Sequence, residues 1–179
     1  EEKQMAKRNK EMIVERKLVP QQAEAESFLS MAVFEYLIGN TDWSVNYLHN
    51  IKLLAPASLG IATAVPYDFD HAGIVNAPYA HPAEELGMTS IMERRYRGYC
   101  LKDMKDFEGV IAEYNRLKKD IYNLYNSCDL LEERYVKSTI AYLDEFYKTI
   151  NNAKAWQREF SFPCYSKTAD VTIKGLKGD

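Results

Sequence analysis

Two long apolar stripes with helical spacing lie in the second half of this chain, and they restrict its fold more than any other feature. One runs from Phe107 to Leu124 and the other from Leu131 to Ile150. Residues that recur at this spacing share one face of an α-helix. Between the stripes stands the turn signal "NSCD", residues 126–129. We therefore predict two amphipathic helices, joined by a short turn and packed in a helical bundle.

A third helical stripe lies near the start of the chain. Its apolar residues run from Ala25 to Leu37 and end near Gly39. Pro20 precedes the stripe, and proline is tolerated in a first helical turn because the N–H it lacks has no partner there. This pattern predicts one more helix, ending at Gly39.

Two short apolar segments, 49–54 and 60–69, follow this stripe. Pro, Gly, Asn or Asp bound each of them, and "APASLG" joins them, which is typical of two strands and a turn. An extended loop is expected over 71–88 because Pro and Gly interrupt it repeatedly. The predicted fold class is therefore α+β and mainly α, a helical bundle with a small β-hairpin.

The chain is long enough for one domain with a real hydrophobic core. Residues 1–19 are charged and weakly patterned, so we expect an N-terminal arm, a frayed helix or a segment that follows a hinge. We expect the domain itself over 20–165 and a tail over 166–179. The chain begins at Glu1 rather than Met, which is consistent with a processed product or a fragment.

Charge and cysteine content exclude some classes of protein. The net charge of −3 argues against a general nucleic-acid binder, which needs a basic face to displace phosphate counterions. No apolar run has the length of a membrane span. Cys100, Cys128 and Cys164 form no CxxC pair and have no His at zinc-ligand spacing. We expect unpaired thiols, with one bridge plus a free thiol left open, so the cysteines do not decide the compartment.

Polar residues cluster where the predicted elements of the first half end. Asp42 follows the helix, Asn50 opens the first apolar "IKLL" segment, and Asp68 and Asp70 close the second. Phosphoryl transfer needs a carboxylate that orients the acceptor and oxygen ligands for Mg²⁺ on the phosphates. In kinase-like folds an Asp, an Asn and a second Asp occur in this order after a helix and around a hairpin.

The stretches "IGNTDWSV", "HNIKLL" and "VPYDFD" resemble the catalytic and metal-binding segments of atypical protein-kinase-like families, notably the CotH and HipA-type kinases. With a later "RYRG", they are more similar still to a group of uncharacterised bacterial proteins. The resemblance implies the C-terminal lobe of an ATP- and Mg²⁺-dependent phosphotransferase. It implies that Asp42 is catalytic, that Asn50 and Asp68 bind the metal and nucleotide, and that Asp70 is a second metal ligand. The acceptor would be a protein or a small molecule.

The chain departs from the kinase pattern in two ways. Asn50 stands eight positions after Asp42 and Asn46 four, against about five in the kinase catalytic loop. No glycine-rich phosphate loop or strand lysine precedes Asp42. By the resemblance, an N-terminal lobe would be supplied by sequence outside this chain. A pseudokinase or protein-interaction module without catalysis is the alternative.

Each candidate also has a structural interpretation. Asp42 and Asp68 are common turn-capping residues, and Asn50 suits the edge of a strand. If the match is accidental, the three side chains will not converge on one cleft. His49, His71 and His81 are expected as exposed or packed residues rather than metal ligands. For Arg97, an ion pair that holds the loop to the bundle is expected.

Overall fold

The computed structural model describes residues 2–56 and 60–166, so the predicted tail after Ser166 lies outside the described residues. Within them the fold is α+β, with helices and a three-stranded antiparallel sheet. Two short 3₁₀ turns lie at Pro20–Gln22 and Glu84–Leu86. The elements in chain order are α1 (Glu2–Asn9), β1 (Glu11–Ile13), α2 (Ala25–Ile38), β2 (Ile51–Pro56), β3 (Thr63–Pro66), α3 (Asp106–Asn126), α4 (Glu133–Ile150), α5 (Ala153–Phe160) and α6 (Phe162–Tyr165).

Helix α2 is the central element of the first half of the chain. Its N-terminus is capped by Glu24, whose carboxylate accepts the amides of Glu26 and Ser27 at 3.3 and 2.7 Å. Its C-terminus is closed by Gly39, whose φ of 71° is a left-handed conformation that glycine adopts without strain. The predicted end of the helix is thus confirmed. The helix begins at Ala25, and Pro20 lies in a separate 3₁₀ turn before it.

The sheet contains the predicted hairpin and one strand more. β2 and β3 pair antiparallel with Ile51 opposite Pro66, and β1 pairs with the other edge of β2. The pattern of residues 1–19 did not predict β1. This strand is three residues long, and its place is set by backbone pairing with β2 rather than by an apolar repeat of its own.

The chain forms two compact units. Unit 1 contains the described residues up to Cys100 and from Phe162 on, and unit 2 is Leu101–Ser161. Two compact units are not in themselves two domains, so a single domain over 20–165 stays a prediction.

Unit 2 consists of α3, α4 and α5. The predicted pair of amphipathic helices is confirmed, since α3 and α4 pack together and bury their apolar faces. Phe107, Leu143, Phe146 and Phe160 are fully buried there. Among the described helices, none is both long and apolar enough to cross a membrane.

A disulfide joins Cys100 to Cys164, and both residues belong to unit 1. The expectation of unpaired thiols is wrong for these two residues and holds for Cys128. Cys100 and Cys164 are 64 positions apart in sequence, and only the fold brings their Cα atoms to 4.7 Å. Cysteine spacing alone cannot reveal such a pair.

Candidate functional site

The loop between α2 and β2 carries the first candidate residues, and two side chains hold it in place. Asn40 is buried, and its Oδ1 accepts the backbone N–H of Asp42 at 3.0 Å. Arg97 donates from Nη1 to the carbonyls of Thr41 and Trp43 at 2.5 and 2.8 Å. The backbone on both sides of Asp42 is therefore fixed from within unit 1.

The ion pair expected for Arg97 stays a prediction, and the bonds with which Arg97 fixes the Asp42 loop go to backbone carbonyls. Its guanidinium bonds backbone carbonyls 54 and 56 residues earlier in the chain and lies 5.9 Å from the centre of the Trp43 ring. Sequence patterns carry no signal for a bond from a side chain to a distant carbonyl.

Both carboxylate oxygens of Asp42 have a neighbour that donates to them. His49 Nε2 lies 3.1 Å from Oδ1, and since a carboxylate only accepts, the histidine is the donor. Asn50 Nδ2 lies 3.2 Å from Oδ2 and donates also to the Asp42 carbonyl at 2.8 Å. The Asp42 side chain keeps 27% of its surface exposed, so the fixed carboxylate stays accessible to solvent.

Asn50 also connects this loop to the end of the hairpin. Its carbonyl accepts the N–H of Tyr67 at 3.0 Å, and Asp68 is the next residue. Asp68 is exposed and has a φ of 61°. Asp70 accepts a hydrogen bond from the Tyr79 hydroxyl at 3.1 Å. That bond raises the pKa of Tyr79, with smaller contributions from burial and from the charges of Asp70 and Asp68.

Three residues in or next to the candidate site have a left-handed backbone that non-glycine residues rarely adopt. Leu48, Asn50 and Asp68 have φ of 53°, 51° and 61°. Asn and Asp tolerate this region, whereas for Leu it is unusual. The strain at Leu48 is held by two backbone hydrogen bonds between Ser44 and His49, at 2.9 and 3.0 Å. Strain of this kind concentrates at functional sites.

A buried acid lies behind the loop. Glu35, on the last turn of α2, has 1% of its surface exposed, and neither of its oxygens has a hydrogen bond of normal geometry. Burial raises the pKa of Glu35 to about 8, against a smaller opposing effect of the Asn40 side chain. The carboxyl is therefore held largely in its neutral form at neutral pH.

A cavity of about 520 Å³ opens beside Asp42. All three histidines of the chain line it, together with Asp42, Glu84 and Glu85. We call it the histidine cavity. The sequence indicated exposed or packed histidines, and their positions 22 and 10 residues apart carry no sign of a shared cavity.

The predicted residues converge in part. Asp42 and Asn50 are in contact, and Asp68 stands one residue beyond the Tyr67 that bonds Asn50. Asn46, the competing choice, lines a different cavity with Trp43 and Arg97, and its Oδ1 is buried without a hydrogen bond. Of the two asparagines, Asn50 is therefore the one placed beside Asp42.

The hairpin end carries the oxygen donors that Mg²⁺ prefers. The Nδ2 of Asn50 is engaged with Asp42, which leaves its Oδ1 as the atom able to meet a cation. Asp68 and Asp70 add carboxylates. Within residues 2–56 and 60–166, no three His, Cys, Asp or Glu side chains group closely enough to hold a metal ion. One amide and two carboxylates suit a cation that keeps water and phosphate oxygens in its shell, as Mg²⁺ does.

Comparison with known proteins finds no match for this chain. No protein-family model, curated protein or solved structure matches it.

Proposed function

We propose that this chain is the C-terminal lobe of an ATP- and Mg²⁺-dependent, kinase-like phosphotransferase. The observation that supports it best is the contact between Asp42 and Asn50, with Asn50 bonded in turn to the residue before Asp68. An accidental match of motifs has no reason to bring an Asp and an Asn together from positions eight apart and attach them to the end of the hairpin.

In this proposal Asp42 is the catalytic carboxylate. Asn50 and His49 each donate to one of its oxygens, and each oxygen keeps a second lone pair. The acceptor hydroxyl donates to Asp42 and passes its proton there as its oxygen bonds to the γ-phosphorus and the bond to ADP breaks. The fixed carboxylate orients the hydroxyl, and positioning is most of what phosphoryl transfer asks of a protein.

Asn50, Asp68 and Asp70 are the proposed metal and nucleotide ligands. Mg²⁺ bound there would neutralise the charge that develops on the phosphates. The nucleotide-covering lobe is proposed to come from sequence outside this chain. The acceptor is a protein hydroxyl or a small molecule.

Thermal unfolding tests the proposal directly. A ligand that binds only the folded state stabilises it by mass action, by about 1.4 kcal/mol at ten times its Kd. We expect Mg²⁺ and ATP together to raise the midpoint of this 179-residue chain, and Asp68→Ala to abolish the rise. The matched control is Asp120→Ala, an exposed aspartate on α3. Its response should equal that of the unsubstituted chain. A rise that persists in Asp68→Ala would contradict the site.

A non-catalytic interaction module is the second candidate. The observation that favours it is the exposure of two leucines near the turn of unit 2, Leu124 at 70% and Leu130 at 93%. Isolated apolar residues are common on surfaces. This candidate gains support if Mg²⁺ and ATP leave the midpoint unchanged while Leu124→Ser with Leu130→Ser weakens association with a partner.

A further inference from the structure

Two cavities that differ in charge lie near Asn50, and Asn50 is hydrogen-bonded to one lining residue of each. The histidine cavity contains the carboxylates of Asp42, Glu84 and Glu85, and no Lys or Arg is among the described residues that line it. The other, of about 690 Å³, lies between α1 and the sheet and is lined by Lys3, Arg8, Lys52 and Tyr67. We call it the lysine cavity. No Asp or Glu is among its described lining residues.

Asn50 is hydrogen-bonded to one lining residue of each cavity. Its Nδ2 bonds Asp42, a wall of the histidine cavity, and its carbonyl bonds Tyr67, a wall of the lysine cavity. Asn50 therefore connects a residue of an acidic cavity to a residue of a basic one. Because a phosphoryl donor is anionic, the lysine cavity suits it better than the histidine cavity does.

The histidine cavity disfavours anionic ligands. Three carboxylates in one cavity favour a cationic ligand and repel an anionic one, and a partly enclosed cavity strengthens both effects relative to open water. Hydrogen-bonding groups are abundant there, since His71 and His81 line the cavity and His49 has a second ring nitrogen besides the Nε2 that donates to Asp42. A volume of about 520 Å³ is in the range of small-molecule sites.

We propose that the histidine cavity is the acceptor site and that the acceptor is a small hydroxyl compound carrying an amine. This inference rests on the proposed function, because Asp42 is the residue that would take the hydroxyl proton. Glu84 and Glu85 bind the ammonium group, and the histidines bind the hydroxyl-bearing part. An organic cation fits this cavity better than a metal ion, since the described side chains do not group three ligands at one point.

The histidines make the cavity easy to observe. The chain has three histidines and all of them line this cavity, so imidazole NMR signals of the whole protein report on it alone. The probes are ethanolamine, ethylene glycol and glycolate, which share a two-carbon hydroxyl skeleton and carry positive, zero and negative charge. They are titrated separately into the full chain at one buffered pH.

We expect ethanolamine to shift all three imidazole signals saturably, ethylene glycol to shift them less, and glycolate to leave them in place. Glu84→Gln with Glu85→Gln should reduce the affinity for ethanolamine about tenfold or more, while Glu108→Gln, an exposed glutamate on α3, should not change it. Equal binding of all three probes, preferential binding of glycolate, no shift with ethanolamine or an unchanged affinity in the double variant would overturn the proposal.

The two proposals fail separately. Binding of ethanolamine without any stabilisation by Mg²⁺ and ATP would leave a cation site and remove the phosphotransferase. Stabilisation by Mg²⁺ and ATP that Asp68→Ala abolishes, together with no selectivity for ethanolamine, would keep the phosphotransferase and reject this acceptor class.

Discussion

Different kinds of internal contact stabilise unit 1 and unit 2. In unit 2, regular helices bury aromatic residues against each other, as Phe146 does against Tyr114 and Tyr147 with ring centres 5.9 and 5.1 Å away. In unit 1, buried polar groups and side-chain bonds to distant backbone hold a long irregular segment, as Arg97 does for the Asp42 loop. The helices of unit 2 follow an apolar repeat in the sequence, whereas unit 1 contains the candidate catalytic and metal-binding residues.

This difference shows where a site can be placed. A pair of helices forms its backbone hydrogen bonds internally, so few of its backbone groups need a side chain as partner. A loop needs outside partners for its backbone, and the side chains that supply them also fix the neighbouring residues. The rigidity of Asp42 in this account comes from Asn40 and Arg97, not from a helix or strand.

The largest effect is expected from Phe146→Ala. Phe146 is fully buried in unit 2, and truncation of a buried phenylalanine costs about 3–5 kcal/mol. Hydrogen exchange should accelerate in α3 and α4 while the 39–50 loop keeps its protection. Equal loss of protection in both units would mean that they unfold together, and the comparison would break down.

Removal of the disulfide should have the next largest effect. Cys100→Ser with Cys164→Ser opens a loop that spans the whole of unit 2, and the loss of such a bridge typically costs about 2–4 kcal/mol. Urea unfolding measures the loss. The control is Cys128→Ser, which removes the free thiol and should leave the unfolding free energy nearly unchanged. A double variant as stable as the unsubstituted chain would show that the bridge contributes nothing.

Glu35→Gln should change the pH dependence of unit 1. The folded pKa of Glu35 is raised from 4.5 to about 8, so the folded state keeps a proton that the unfolded state loses. Stability from this group is full below the unfolded pKa and falls as pH rises towards the folded one. Between pH 5.5 and pH 7.5 the loss is about 2–3 kcal/mol.

The check is urea unfolding at several pH values. The Gln variant should lack this fall and be the more stable protein at pH 7.5. Parallel pH profiles for the two proteins would show that Glu35 does not titrate differently in the folded state.

Arg97→Ala should loosen the site loop alone. It deprives the carbonyls of two buried residues, Thr41 and Trp43, of a charged donor, at a cost of roughly 1.5–3 kcal/mol. Exchange should rise in the 39–50 loop and not in α3. Arg116→Ala, which removes an exposed ion pair with Glu113 on α3, should change stability by less than about 1 kcal/mol. Similar losses for the two variants would contradict the special role of Arg97.

The sequence predicted unit 2 better than unit 1 for a physical reason. An apolar repeat records burial directly, so Phe107 to Ile150 indicated α3 and α4. The short α5 carries weaker signals, a cap at Asn152 and the pair Trp156 and Phe160 four residues apart, and these are too few to predict a helix.

In unit 1 the order of Asp42, Asn50 and Asp68 marks candidate residues in the sequence, but the sequence does not predict the contacts around them. Neither the three-residue strand β1 nor the bonds of Arg97 leave a local pattern. The shared cavity of the three histidines depends on how the 71–88 loop returns to Asp42, which no local repeat specifies.

Paramagnetic broadening by Mn²⁺ with ATP is the most direct measurement of the central claim, that Asp42, Asn50 and Asp68 form one site. Mn²⁺ accepts the same hard oxygen ligands as Mg²⁺, and the imidazole signals of His49 and His71 come from residues next to the proposed ligands Asn50 and Asp70. We expect that Mn²⁺ with ATP broadens these two signals first, that Mn²⁺ alone does so weakly, and that Asp68→Ala prevents the broadening while Asp120→Ala does not. Broadening that is absent, or that is unchanged in Asp68→Ala, would contradict the site.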